Sequence, residues 1–90
     1  MNNHRIKSLY NFQNKVVIIT GSNGQIGFSL VKLFLDLGSK VYGFDKFDNK
    51  FNEENYEFIK TDISIKKNII NKISQIIKKE KKIDIIINNA

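Results

Sequence analysis

The 90-residue sequence predicts an α/β fold: a doubly wound parallel sheet of about four strands in the order 3-2-1-4, with helices on both faces. Three observations predict it. Short runs rich in Val and Ile, without polar alternation, recur along the chain, as strands buried on both faces of a parallel sheet do. Two longer segments carry apolar residues at helical spacing. A glycine-rich turn joins the first strand to the first helix, and right-handed crossovers then give the strand order.

The elements follow in sequence. Residues 1–14 are a polar, aperiodic lead-in that packs a few side chains, among Leu9, Tyr10 and Phe12, against the domain of residues 15–90. Lys15 to Thr20 (KVVIIT) is the first strand, buried and β-branched. From Gly24 or Gln25 to Leu37, Ile26, Leu30, Val31, Phe34 and Leu37 fall at helical spacing, and Gly38 stands where a left-handed residue ends a helix. Lys40 to Asp45 (KVYGFD) is the second strand. Lys46 to Asn55 is polar, with room for a turn or two of helix at most. Tyr56 to Lys60 (YEFIK) is a short edge strand. Asp62 and Ser64 offer N-caps for a helix running to about Lys81, with Ile65, Ile69, Ile70, Ile73, Ile76 and Ile77 on one face. Asp84 to Asn88 (DIIIN) closes the series as a buried strand.

Composition narrows the function classes. With 41% hydrophobic and 27% charged residues the chain is globular, and its length supports one core. It has no cysteine, and its only histidine, His4, sits in the lead-in, so neither disulfides nor a metal site are expected. No apolar run approaches the ~20 residues that span a bilayer, and the first residues lack the apolar centre of a signal peptide, which points to a soluble, cytoplasmic protein without a membrane partner. The net charge of +6 raises the question of nucleic acid. Its distribution answers against it: the basic residues are scattered lysines apart from one arginine, and the densest group, Lys78, Lys79, Lys81 and Lys82, ends a helix, where cations complement the dipole.

The turn Thr20-Gly21-Ser22-Asn23-Gly24-Gln25-Ile26-Gly27 carries the chemistry. Its glycines permit a tight exit from the strand, close approach of backbone to a pyrophosphate, and close packing of helix on strand. Free N–H groups at the helix start, backed by the helix dipole, favour an anion. Asp45, at the end of the second strand, is placed to accept hydrogen bonds from adenosine ribose hydroxyls and to repel a 2′-phosphate, so NAD is favoured over NADP despite the neighbouring Lys46. A plain strand-to-helix turn and a plain strand-end aspartate are the alternatives at these two positions.

Over roughly residues 14–90 the chain resembles the short-chain dehydrogenases/reductases. The resemblance rests on four positions in register: T-G-S-N-G-Q-I-G after the first strand, Asp45 after the second, Thr61-Asp62-Ile63 after the third, and Asn88-Asn89-Ala90 after the fourth. It implies a Rossmann-type, NAD(P)-binding portion of an oxidoreductase that moves a hydride between the nicotinamide and a carbonyl or hydroxyl substrate. It further implies that Asp62 and Ile63 contact the adenine, and that Asn88, Asn89 and Ala90 line the cofactor and steady the central strands. Members carrying N-N-A-G usually have T-G-x-x-x-G-x-G, with glycine where Gln25 stands here, whereas T-G-x-x-G-x-x-G is commoner in the longer members that act on nucleotide sugars. A fragment of a nucleotide-sugar epimerase or dehydratase therefore stays open beside the first reading, as does a non-catalytic NAD-binding module.

The family's chemistry implies a tyrosine with a lysine four residues on, and a serine upstream. Tyr42 to Lys46 and Tyr56 to Lys60 match the spacing, but both fall on predicted strands, where residues four apart are ~13 Å distant; on a helix they would be neighbours. No catalytic residue is therefore assigned. The expectation is an incomplete domain, an N-terminal or truncated piece of a dehydrogenase. Its Asp84–Asn88 strand would offer an unpaired edge for self-association or for pairing with another chain.

Overall fold

A computed structural model describes residues 11–89. Among them run β1 (Val16–Thr20), α1 (Gln25–Asp36), β2 (Lys40–Asp45), β3 (Tyr56–Lys60), α2 (Lys66–Glu80) and β4 (Ile85–Asn88). The strands form one parallel sheet in the order β3-β2-β1-β4, as the chain pattern predicts. Val17 stands level with Val41 of β2 and Ile85 of β4, and Thr20 with Phe44 and Asn88. This register brings the carboxyl ends of β1, β2 and β4 to one rim.

All five residues of β1 are buried, because both faces of the strand are covered. Val17 and Ile19 point with Val41 and Tyr56 toward α1, where Val31, Phe28 and Phe34 meet them. Val16 and Ile18 point the other way with Tyr42 and Phe44, toward Ile73 and Ile76 of α2. Alternate residues of a strand face opposite sides, so one apolar run feeds two cores. Phe12 packs edge-on against Phe34, with ring centroids 5.5 Å apart, and accepts a hydrogen bond at its carbonyl from Ser39 Oγ. The end of the lead-in is thus joined to α1; Leu9, Tyr10 and His4 lie outside the described residues.

Three sequence expectations are corrected. β4 is not buried: Ile86 is 53% exposed and Asn88 is exposed. Among the described residues its one sheet neighbour is β1, and α2 packs over β1 and β2 instead. The apolar face of α2 is also narrower than its spacing suggests, with Ile76 buried and Ile65, Ile70 and Ile77 about half exposed. Finally, neither Asp62 nor Ser64 caps α2. Ile65 is the N-cap, without a side-chain hydrogen bond. The Asp62 carboxylate instead accepts from the Ser64 N–H at 3.0 Å and the Ser64 hydroxyl at 2.6 Å, closing a local turn before the helix begins.

Candidate functional site

The glycine turn leaves β1 through Gly21, at φ +65°, a left-handed conformation that glycine adopts without penalty. Its carbonyl accepts the Gly24 N–H at 3.2 Å and Asn89 Nδ2 at 3.4 Å. Gly27, in the first turn of α1, lies directly over that carbonyl: a Cβ there would collide with Gly21 O and come within 2.7 Å of Asn89 Nδ2. Gly24 differs. A Cβ on it would meet Gly21 O at 3.4 Å, an ordinary contact, so the chain's own packing does not demand glycine at that position.

Helix α1 starts with Gly24 as its cap, with no side-chain hydrogen bond and no acidic residue in its first turn. The N–H groups of Gln25, Ile26 and Gly27 have no carbonyl of a preceding turn to meet, and a helix start in this state attracts an anion. These groups fit a pyrophosphate. Ile26, 68% exposed, adds apolar surface beside them.

Around this turn the predicted residues take distinct roles. Asp45 accepts the Asn23 N–H at Oδ2, 3.1 Å away, and the Phe47 N–H at Oδ1, 3.4 Å away. Gly21, Asp45, Asp62 and Ile63 line one cavity of about 230 Å³, with Lys46 and Ser64 completing its wall. Hydrogen bonds from Ser64 hold the Asp62 carboxyl below the usual aspartate range, with the Lys46 charge contributing. Asp62 is therefore an anion at neutral pH. Ile63 also walls a second hollow of about 230 Å³, lined by Thr20 and Asn88 among others.

Thr20, Asn88 and Asn89 tie strands together. The Thr20 hydroxyl donates to Asn88 Oδ1 at 3.0 Å and accepts the Asn89 N–H at 3.0 Å. Together with the Asn89 amide on Gly21 O, these bonds fix the end of β4 to the start of the glycine turn. Ala90 lies outside the described residues.

Ser22 is fully buried beneath the turn, its N–H donating to Phe44 O at 3.2 Å. Its hydroxyl and that of Tyr56 are both buried without a hydrogen bond of ordinary geometry. Burial raises the Tyr56 pKa, with the nearby Ser22 hydroxyl opposing and Asp45 adding to the shift. Both hydroxyls crowd the Cα of Gly43, where a Cβ would collide with Tyr56 Oη and come within 2.6 Å of Ser22 Oγ. Sequence reasoning missed Gly43, although a glycine inside a strand signals close approach of another group.

The two Tyr-x-x-x-Lys matches begin on β2 and β3, as their strand periodicity predicts. Tyr42 donates to Glu80 at the far end of α2, and burial followed by that bond drives its pKa upward. Tyr56 is committed to the α1 core. Neither is arranged to relay protons to a ligand at the rim.

Comparison with known proteins agrees with this geometry. The family profile of the short chain dehydrogenases matches residues 15–90. Among curated proteins, an uncharacterized oxidoreductase of Schizosaccharomyces pombe is 36% identical over 78 residues, covering 87% of this chain and 30% of that protein. The sorbitol-6-phosphate 2-dehydrogenase of Klebsiella pneumoniae is 35% identical over 82 residues, covering 89% and 31%. Among solved structures, a short chain dehydrogenase of Leptospira borgpetersenii with bound NAD+ superposes with a TM-score of 0.80 at 32% identity, over 92% of this chain and 33% of that one. This chain therefore spans about a third of the length of the proteins it matches. With the matched profile, the strand order and the glycine turn in agreement, the chain belongs to the short-chain dehydrogenase family.

Proposed function

We propose that this chain is the dinucleotide-holding portion of an NAD-dependent oxidoreductase, which in its complete form moves a hydride between the nicotinamide and a carbonyl or hydroxyl substrate. The observation that carries the reading is the single cavity joining Gly21, Asp45, Asp62 and Ile63 beside the uncapped start of α1. In this reading the N–H groups of Gln25, Ile26 and Gly27 hold the pyrophosphate, Asp45 accepts the ribose hydroxyls, and Asp62 and Ile63 border the adenine. Thr20, Asn88 and Asn89 keep the two central strands at a fixed spacing beneath it. The bound dinucleotide supplies the hydride chemistry; these residues bind and orient it.

Support for NAD over NADP comes from the Asp45 carboxylate, which repels a 2′-phosphate. Thermal unfolding with each cofactor tests both statements. A ligand at about 100 times its dissociation constant adds ~2.7 kcal/mol of stability, which is a readily measured shift. The expected result is a clear shift with NAD and a smaller one with NADP. A folded sample that shifts with neither overturns the reading. In Asp45→Ala the two cofactors should converge, and an unchanged ratio makes Asp45 a turn residue only.

The reading extends to partners. Ile86, half exposed on an edge strand, supports pairing of β4 with a second copy or another polypeptide. Sedimentation should show concentration-dependent association that Ile86→Lys weakens, and a concentration-independent monomer sinks the idea.

A further inference from the structure

The side chain of Asn23 does more than line the glycine turn. Its Nδ2 donates to Phe47 O at 2.7 Å and to Asp48 O at 3.4 Å, and its Oδ1 accepts Asn49 Nδ2 at 2.6 Å. Its backbone N–H donates to Asp45. One residue of the first strand's turn thus holds residues 47–49, the start of the connection leaving the second strand, beside the carboxylate at the cavity wall.

We propose that Asn23 is a latch that sets cofactor selectivity, by fixing residues 47–49 beside Asp45 and committing the donors a 2′-phosphate would need. The proposal rests on the dinucleotide-binding reading above. A phosphate is held by several free N–H groups or cations acting together. Here the N–H groups of Asn23 and Phe47 both point at the Asp45 carboxylate, and the amide groups of Asn23 and Asn49 are spent on the latch. Lys60 pairs with Asp48 at 3.5 Å. Lys46 remains, its ammonium 5.4 Å from the centre of the Phe47 ring, on the segment the latch fixes. Ribose hydroxyls need the opposite chemistry: they donate, and a carboxylate held by two N–H groups keeps lone pairs to accept them. Asp45 repels the 2′-phosphate by charge, and the latch denies it donors.

The test is binding of NAD and NADP to the 90-residue chain, by calorimetry, in wild type, Asn23→Ala, Asn49→Ala and Asp45→Ala. Asn23→Ala keeps the backbone N–H on Asp45 and removes only the side-chain latch. The preference for NAD should fall about fivefold, the size of a 1 kcal/mol change, chiefly through tighter NADP binding. Exchange of the Phe47 amide should quicken in the absence of any ligand. Asn49→Ala releases the latch from its other side and should move the ratio in the same direction, which keeps the test open if Asn23→Ala does not fold. A ratio unchanged in both asparagine variants but altered in Asp45→Ala overturns the latch and leaves the binding reading standing. Wild-type protein that is folded and binds neither cofactor overturns both.

Discussion

The two helices carry similar apolar periodicity, but more of the α1 face packs against the sheet, through Phe28, Leu30, Phe34 and Leu35, than of the α2 face. Around α1 the middle of the face is covered while Ile26, at its start, stays exposed: Val31 and Gly27 are buried, and Phe28 meets Phe51 edge-on at 4.9 Å between centroids. Along α2 Ile76 is buried while Ile70 and Ile77 stay about half exposed. Their ends differ too. Helix α1 exits through Gly38 at φ +94°, a conformation suited to glycine, whereas α2 exits through Lys81 at φ +70°. Periodicity tells which residues share a face of a helix. It does not tell how far the sheet beneath extends, and α2 crosses β1 and β2 with no described element covering its outer side.

The largest effects should separate the two faces of α2 itself. Ile76→Ala removes a side chain buried in one core cluster with Val16, Ile18, Tyr42 and Phe44, and should lower stability by about 2–5 kcal/mol. Ile70→Ala should stay within about 0.5 kcal/mol. Val31→Ala, on α1, should resemble Ile76→Ala in kind, with a smaller loss for the smaller side chain. Denaturant midpoints measured together decide the matter; an Ile70→Ala loss as large as that of Ile76→Ala would mean that the outer face of α2 is covered.

A second substitution probes the crowding under α1's own turn. Gly43→Ala forces a methyl group against Tyr56 Oη and Ser22 and should cost about 1–3 kcal/mol. Tyr56→Phe removes one of the two obstructing hydroxyls, which has no hydrogen bond of ordinary geometry to lose. In the double variant the loss should therefore be smaller than the sum of the two singles. Additive losses would show that the backbone of β2, rather than the hydroxyl, resists the methyl group.

These contacts mark where sequence stops being legible. Val16 to Ile19 could be read as a doubly covered strand because four consecutive β-branched residues have no solvated side to offer. The glycine turn and Asp45 could be read because their backbone and charge requirements are local. Asn23 offered no such signal: its partners, Phe47, Asp48 and Asn49, lie 24 to 26 residues away and meet it only after β2 has paired with β1. Ile86 looked buried because three isoleucines in a row say nothing about the number of neighbours a strand has. Asp62 matched a cap by residue type, but a Ser64 hydroxyl two residues on took its carboxylate first.

The helix ends give a smaller, signed comparison. A side chain in the left-handed region costs roughly 1–2 kcal/mol relative to glycine. Lys81→Gly should therefore stabilise the protein by about 1 kcal/mol, while Gly38→Ala should destabilise it by at least as much, since a Cβ there also approaches Gln13 Cα at 3.3 Å. Thermal melts of the two variants should move in opposite directions. Movement in the same direction would show that the Lys81 side chain, at the carboxyl end of α2, contributes more than its backbone strain removes.

The weakest effect should appear in acid, and it should distinguish the helix starts. Ser64 holds Asp62 below its ordinary pKa of 3.8, and the Val16 N–H followed by Lys82 does the same for Asp84, which accepts those groups at 2.8 and 3.0 Å. A carboxylate whose folded pKa is depressed adds stability that is complete above its unfolded pKa and disappears as pH falls through the folded value. The loss therefore belongs below about pH 4 and is absent near neutrality. Both groups are solvated, so salt and water keep the contribution small. Protonation should loosen the turn before α2 and the pairing of β4 with β1, while the start of α1, which has no acidic residue in its first turn, should be unaffected directly. Amide exchange near pH 3 should quicken at Ser64 and Val16 ahead of Phe28. Asp84→Asn, which cannot titrate, should flatten the Val16 response and leave that of Ser64, because the two aspartates act at opposite ends of the sheet.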